Sequence, residues 1–152
     1  MTINSLYLAS KLYDETTFYY QFKHDLLRST SEVIIESPFI ATERARILYP
    51  IFQTLIARGV RVYIVTRDPS EHSETMEAQS ETEIQHFDAL GVQVLLCTGN
   101  HHRKLAVLDR QVLWEGSLNI LSQHKSREIM RRIDDKEMAI EMFNFLKFGN
   151  FL

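Results

Sequence analysis

The chain has 152 residues, 45% of them hydrophobic and 24% charged, with only five Gly and three Pro. That profile excludes disordered and collagen-like chains and fits one globular domain over residues 1–152, large enough to bury roughly 70% of the surface it exposes when unfolded. A net charge of −3, from 17 basic and 20 acidic side chains, excludes a protein that coats nucleic acid by bulk electrostatics.

In chain order, Glu15 to Arg28 spaces Phe18, Phe22 and Leu26 four apart, which predicts an amphipathic helix with its aromatic stripe in the core. Glu32 to Glu36 is a β-branched run ended by Ser37-Pro38 and predicts a buried strand. Thr42 is a fair N-cap for a helix bearing Ile47, Leu48, Ile51, Leu55 and Ile56 and ending at Gly59, with Pro50 expected to kink or split it. Val60 to Val65 predicts a second strand, so the order becomes that of a βαβ unit. The acidic stretch Asp68 to Glu83 reads as the solvated face of a loop and helix, or more sharply as a negative flap. Ile84, Phe87 and Leu90 mark a short helix stopped by Gly91, and Val92 to Cys97 a third strand. Leu105 to Leu108, Val112 to Trp114 and Ile129 to Met130 are short runs with tight connections, as in an antiparallel meander. Asp135 to Phe148 closes as a helix whose Phe143, Phe145, Phe148 and trailing Phe151 suit core or contact surface alike. The expected fold class is α/β, one mixed β-sheet flanked by helices on both faces.

No apolar run approaches the ~20 residues that a bilayer span needs. Met1 to Ser10 lacks a basic stretch leading into a long apolar core, so no secretory signal is expected and a cytoplasmic setting is. The single cysteine, Cys97, lies in an apolar run and is expected to be a small buried side chain.

One stretch carries chemistry. His102, Lys104, Asp109, Gly116, Ser117 and Asn119 form the pattern HxKxxxxDxxxxxxGSxN, whose six identities meet by chance on the order of once in ten million windows or less. On a strand, residues i and i+2 share a face, so His102 and Lys104 would meet one site together. A nucleophilic His beside a fixed cation suits attack on an anionic ester, and Ser117 and Asn119 could add hydroxyl and amide donors. The surrounding segment is also the basic part of the chain, with Arg103, Lys125, Arg127 and Arg131 as candidate contacts for a phosphate backbone. Without Cys partners or an HExxH helix, no metal site is expected at His101-His102.

This pattern resembles the HKD motif of the phospholipase D superfamily at all six defining positions. Ser37-Pro38-Phe39-Ile40, Arg58 to Val62 and Ser126 to Arg131 are similar to corresponding points in small PLD-like nuclease domains, the last especially in domains associated with helicases. The resemblance implies a phospholipase D/nuclease-like αβα sandwich. It also implies a metal-independent phosphodiesterase with no cofactor, in which His102 is the nucleophile and forms a phosphohistidine. Lys104 and Asn119 would hold phosphate oxygens, Ser117 would line the pocket and Glu128 would align a His. Asp109 would be structural at a strand end, and Gly116 would permit close backbone approach. Larger members carry two such motifs, whereas no other His here has Lys two residues on. The resemblance therefore implies a homodimer sharing one site, acting on nucleic acid, DNA rather than RNA, and working with a helicase-like or other DNA-processing partner. The competing readings are a phospholipase or phosphatidyl transferase, and a catalytically silent nucleic-acid-binding subunit.

Overall fold

A computed structural model describes residues 9–152. Seven strands form one mixed sheet in the order β1-β7-β6-β5-β2-β3-β4. The strands are β1 (Ser10–Asp14), β2 (Glu32–Glu36), β3 (Arg61–Arg67), β4 (Gln93–Cys97), β5 (Leu105–Leu108), β6 (Val112–Gly116) and β7 (Ile129–Asp134). The helices are α1 (Phe18–Arg28), α2 (Thr42–Ala57), α3 (Glu74–Leu90) and α4 (Lys136–Phe145). β2, β3 and β4 are parallel, as the helix between each pair requires. β5, β6 and β7 form the antiparallel meander, and β5 joins the two halves by pairing antiparallel with β2.

Alternation sorts the strand residues onto two cores. Val33, Ile35, Val62, Ile64, Ala106 and Trp114 face α1, α2 and α3, where Phe18, Phe22, Phe52 and Phe87 are fully buried. Ile34, Tyr63, Val65, Val107 and Leu113 face α4, which contributes Ala139 and Phe143. Phe148 joins this second core, whereas Phe145 and Phe151 stay exposed. Helices therefore lie on both faces of the sheet. Among the described residues, no helix is long and apolar enough to cross a membrane.

Several expectations are corrected. β1 has no counterpart in the sequence reading. It pairs with β7 at the sheet edge, and Asp14 then accepts from the backbone N–H of Thr16 and Thr17, delaying α1 to Phe18. Pro50 does not split α2, which runs unbroken with Leu48, Phe52 and Leu55 buried on its inner face. Tertiary burial outweighs the one backbone donor that proline lacks. Thr42 is not the cap but the first helical residue, because its N–H and hydroxyl are bonded to Gln79 and Glu83 of α3.

The helix before Gly91 is not short: it begins at Glu74 and takes in most of the acidic stretch. Nor is that stretch merely solvated. Glu83 is buried between α2 and α3, bonded to Thr42 and Tyr49 and 3.3 Å from His86 Nδ1. Cys97 is only half-buried because β4 is an edge strand, though burial still raises its thiol pKa.

Candidate active site

β4 lies at one edge of the sheet, while β5 lies beyond β3 and β2. The connection, residues 98–104, must therefore cross the carboxyl ends of two parallel strands, a span of about 14 Å at the usual strand spacing. Parallel sheets place ligand sites at this end. His102 and Lys104 sit on this strap just before β5, not within a strand as their spacing predicts. They nevertheless share a side: Lys104 Nζ is 2.7 Å from His102 Nδ1 and donates to the His102 carbonyl oxygen at 2.7 Å.

The imidazole of His102 is exposed to solvent. Its pKa is lowered, first by the charge of Lys104, then by partial burial, Arg67 and His101, so the neutral ring prevails near pH 7. The Lys104 pKa is also lowered by burial, against an opposing contribution from Glu128. Phe39, in the segment after β2, presents its ring edge-on to His102 at 6.3 Å between centroids.

Across the hairpin, Gly116 N donates to Lys104 O at 3.3 Å. A side chain at Gly116 would be impossible without movement, since its Cβ would fall 2.1 Å from Ile129 O on β7. That close approach lets Ser117 bond twice to Ile129: its N–H donates to the Ile129 carbonyl at 2.9 Å and its hydroxyl accepts the Ile129 N–H at 3.0 Å. Ser117 and Asn119 thus lie in the loop that follows β6 rather than on the strand. This loop is tied to the carboxyl end of β2 through Leu121 N to Ser37 Oγ and Ala41 N to Leu121 O. The Asn119 carbonyl accepts from Ser122 and Gln123, while its side-chain Oδ1 is buried without a partner.

Glu128 stands with this group. The hydroxyls of Ser126 and Ser117, with a lesser contribution from Lys104, hold its carboxyl below the usual carboxylate range. Its neighbours are Lys104 and Ser117, whereas the group that meets the His102 ring is Lys104. Asp109 lies at the other end of β5, where its carboxylate accepts from the backbone N–H of Thr30, Ser31 and Glu32.

The basic residues divide. Arg103, Lys104 and Arg131 line a cleft of about 650 Å³ with Glu115, Leu12, Leu105, Gly116, Ser117 and Ile129. Arg127 lines a second cleft with Ser117 and Glu128, and Lys125 lines neither. Arg103 is half exposed but anchored, with Nε donating to the buried Glu36 at 2.9 Å. His101 Nε2 also lies 2.8 Å from Glu36. Glu36 and Arg67 were not legible as site residues. The only signal was that each is a charge at the carboxyl end of a strand whose interior is largely apolar.

The model for the family described as "Cardiolipin synthase, PLD-like domain" matches residues 22–147, well over half of the chain. No curated protein is similar enough in sequence to match. Among solved structures, the chain is similar to NucT from Helicobacter pylori, with 18% identity and a TM-score of 0.71, covering 91% of this chain and 92% of that one. It is also similar to Nuc, a phospholipase D family member from Salmonella typhimurium, with 14% identity and a TM-score of 0.73, covering 91% of each chain. Phosphatidylserine synthase from Haemophilus influenzae superposes with a TM-score of 0.68 at 15% identity, but 92% of this chain covers only 37% of that one. With the fold in common and the family model spanning most of its length, the chain belongs to the phospholipase D superfamily of phosphodiester-cleaving and transferring enzymes.

Proposed function

We propose that the chain is a metal-independent phosphodiesterase, specifically a DNA endonuclease, working through a phosphohistidine at a site shared by a homodimer. The observation that carries the reading is the contact of an exposed His102 with Lys104, whose Nζ lies 2.7 Å from Nδ1 and whose charge lowers the His102 pKa. A phosphodiester is an anion that attracts this ammonium. Drawing it off Nδ1 lets that nitrogen carry the ring proton and leaves the Nε2 lone pair free to attack. A bond forms between His102 and phosphorus as the ester P–O bond breaks, and the leaving oxygen must gain a proton. Water then attacks phosphorus, the P–N bond breaks, and a phosphomonoester is released. Lys104 and the Nδ2 amide of Asn119 would donate to the oxygens that gain charge.

The need for a proton donor supports the dimer. Among the described residues, Glu128 is held below the usual carboxylate range and His101 Nε2 lies against Glu36, so neither is well placed to protonate the leaving oxygen. The His102 of a second copy across a two-fold axis would supply that proton and later take the proton of the attacking water.

The three cations of the cleft of about 650 Å³, Arg103, Lys104 and Arg131, outnumber its one acid, Glu115, and favour a polyanion. Its apolar wall of Leu12, Leu105 and Ile129 favours the second reading, a phospholipid. The deciding experiment is cleavage of single- and double-stranded DNA in EDTA by wild type and His102→Ala. Cleavage by wild type alone is expected. Binding of DNA without cleavage by either protein supports the silent binding subunit instead, and turnover of a phospholipid ester in place of DNA supports the lipid enzyme. Sedimentation at micromolar concentration tests the dimer, and a monomer with full activity overturns the shared site.

A further inference from the structure

The strap that bears His102 has no strand partner between Thr98 and Lys104, so a ladder does not fix it. At its start the backbone turns through two consecutive left-handed residues, Gly99 at φ +86° and Asn100 at φ +60°, a conformation that only Gly and Asn adopt with ease. The turn aims two successive N–H groups at one carboxylate. Gly99 donates to Glu71 Oε2 at 2.9 Å and Asn100 to Glu71 Oε1 at 3.3 Å. Arg67, at the end of β3, completes the ring, with Nε donating to Glu71 Oε1 at 3.2 Å and Nη2 to Asn100 Oδ1 at 2.7 Å. Glu71 belongs to the acidic run that reads as solvent-facing, yet its carboxylate is turned onto the strap.

We propose that Glu71 and Arg67 form a clamp that sets where His102 stands and which charges face it, making both positioning residues for the phosphodiesterase. The inference rests on His102 being the nucleophile. Only His101 separates the clamped Asn100 from His102, so its slack passes directly to the imidazole. A displacement of about 1 Å at a reacting group costs up to about 10²-fold in rate.

The clamp also acts through charge. The titratable and charged groups facing His102 are Lys104 and His101 on the strap and Arg67 from β3. Glu71 neutralises Arg67, and His72, Asp68 and Glu77 surround the same corner. Removing the Glu71 charge exposes His102 to an uncompensated guanidinium and drives its protonation to lower pH. Removing the Arg67 charge drives it to higher pH.

The test combines NMR titration of His102, hydrogen exchange at Gly99 and Asn100, and hydrolysis of bis(p-nitrophenyl) phosphate. In Glu71→Gln, about a tenfold or greater loss of kcat with KM little changed is expected. Faster exchange at both amides and a lowered His102 pKa should accompany it. Arg67→Gln should raise that pKa, and Arg67→Lys, which keeps the charge, should leave it near the wild-type value. Opposite shifts in the two neutral variants are not produced by general loss of stability. Unchanged exchange in Glu71→Gln, or equal shifts of one sign in both neutral variants, overturns the clamp. So does a loss confined to KM. If His102→Ala hydrolyses the diester as fast as wild type, the nucleophile assignment fails, while amide exchange still decides the clamp.

Discussion

The ammonium of Lys104 lies 2.7 Å from Nδ1 of His102 and 2.7 Å from the carbonyl oxygen of the same residue. One cation thus holds both the ring and the backbone of its neighbour, and its charge is the foremost cause of the lowered His102 pKa. Removing it should act on rate and ionisation together. Lys104→Ala should lower turnover by about 10²-fold or more. Lys104→Met should move the His102 titration to higher pH, because a lost positive neighbour favours the imidazolium. The acid limb of any residual activity then moves the same way. NMR titration and a pH–rate profile check both, and an unmoved His102 titration would show that the contact is not maintained in solution.

Asp109 acts at a distance from this chemistry. Its carboxylate accepts three backbone N–H bonds from residues 30–32, and with the Ser31 hydroxyl these hold its pKa below the usual 3.8 despite the opposing effect of burial. A depressed folded-state pKa gives stability that is present above the unfolded value and lost as pH falls through the folded one. Asp109→Asn should therefore cost about 1.5–3 kcal/mol at pH 7. The difference from wild type should shrink below about pH 4. Urea denaturation at pH 7 and pH 3 measures it.

At Gly116 a methyl group would lie 2.1 Å from Ile129 O and 2.9 Å from Met130 Cα, both backbone atoms of β7. Relief requires the two strands to part, and the Ser117 bonds to Ile129 part with them. Gly116→Ala should lose about 3 kcal/mol of stability and most of its activity. A variant with wild-type denaturation and turnover would show that the hairpin yields at no cost.

Asp25 is buried on α1, and its carboxylate accepts Trp114 Nε1 at 2.9 Å and Arg132 Nε at 2.7 Å. Asp25→Ala leaves a buried indole donor and a largely buried guanidinium without their acceptor. A cost of about 3–5 kcal/mol is expected, with α1 the first element to lose protection in hydrogen exchange. Asp25→Asn should cost less, because the amide oxygen can still accept one of these bonds.

Periodicity made most of the architecture legible: the alternation of β2, β3 and β5, the stripe of α1 and the glycine stops at Gly59 and Gly91 are local properties. β1 was missed because a five-residue edge strand with an exposed Leu12 carries little hydrophobic signal, and its existence depends on β7 being there to pair with. The six motif residues were legible for the same local reason, since their identities and spacing lie within one continuous stretch.

What the sequence by itself determined is which groups are available for chemistry: a His, a Lys and an Asn at fixed spacing, beside a glycine. Tertiary structure alone decided what holds those groups and tunes them. Glu71, Arg67 and Glu36 come from points 31 to 66 residues away in the chain, and only the crossing of the strap over β3 and β2 brings their charges to His102 and its neighbours. Electrostatic setting falls off with distance in space, not with separation along the chain, so sequence spacing could not disclose it.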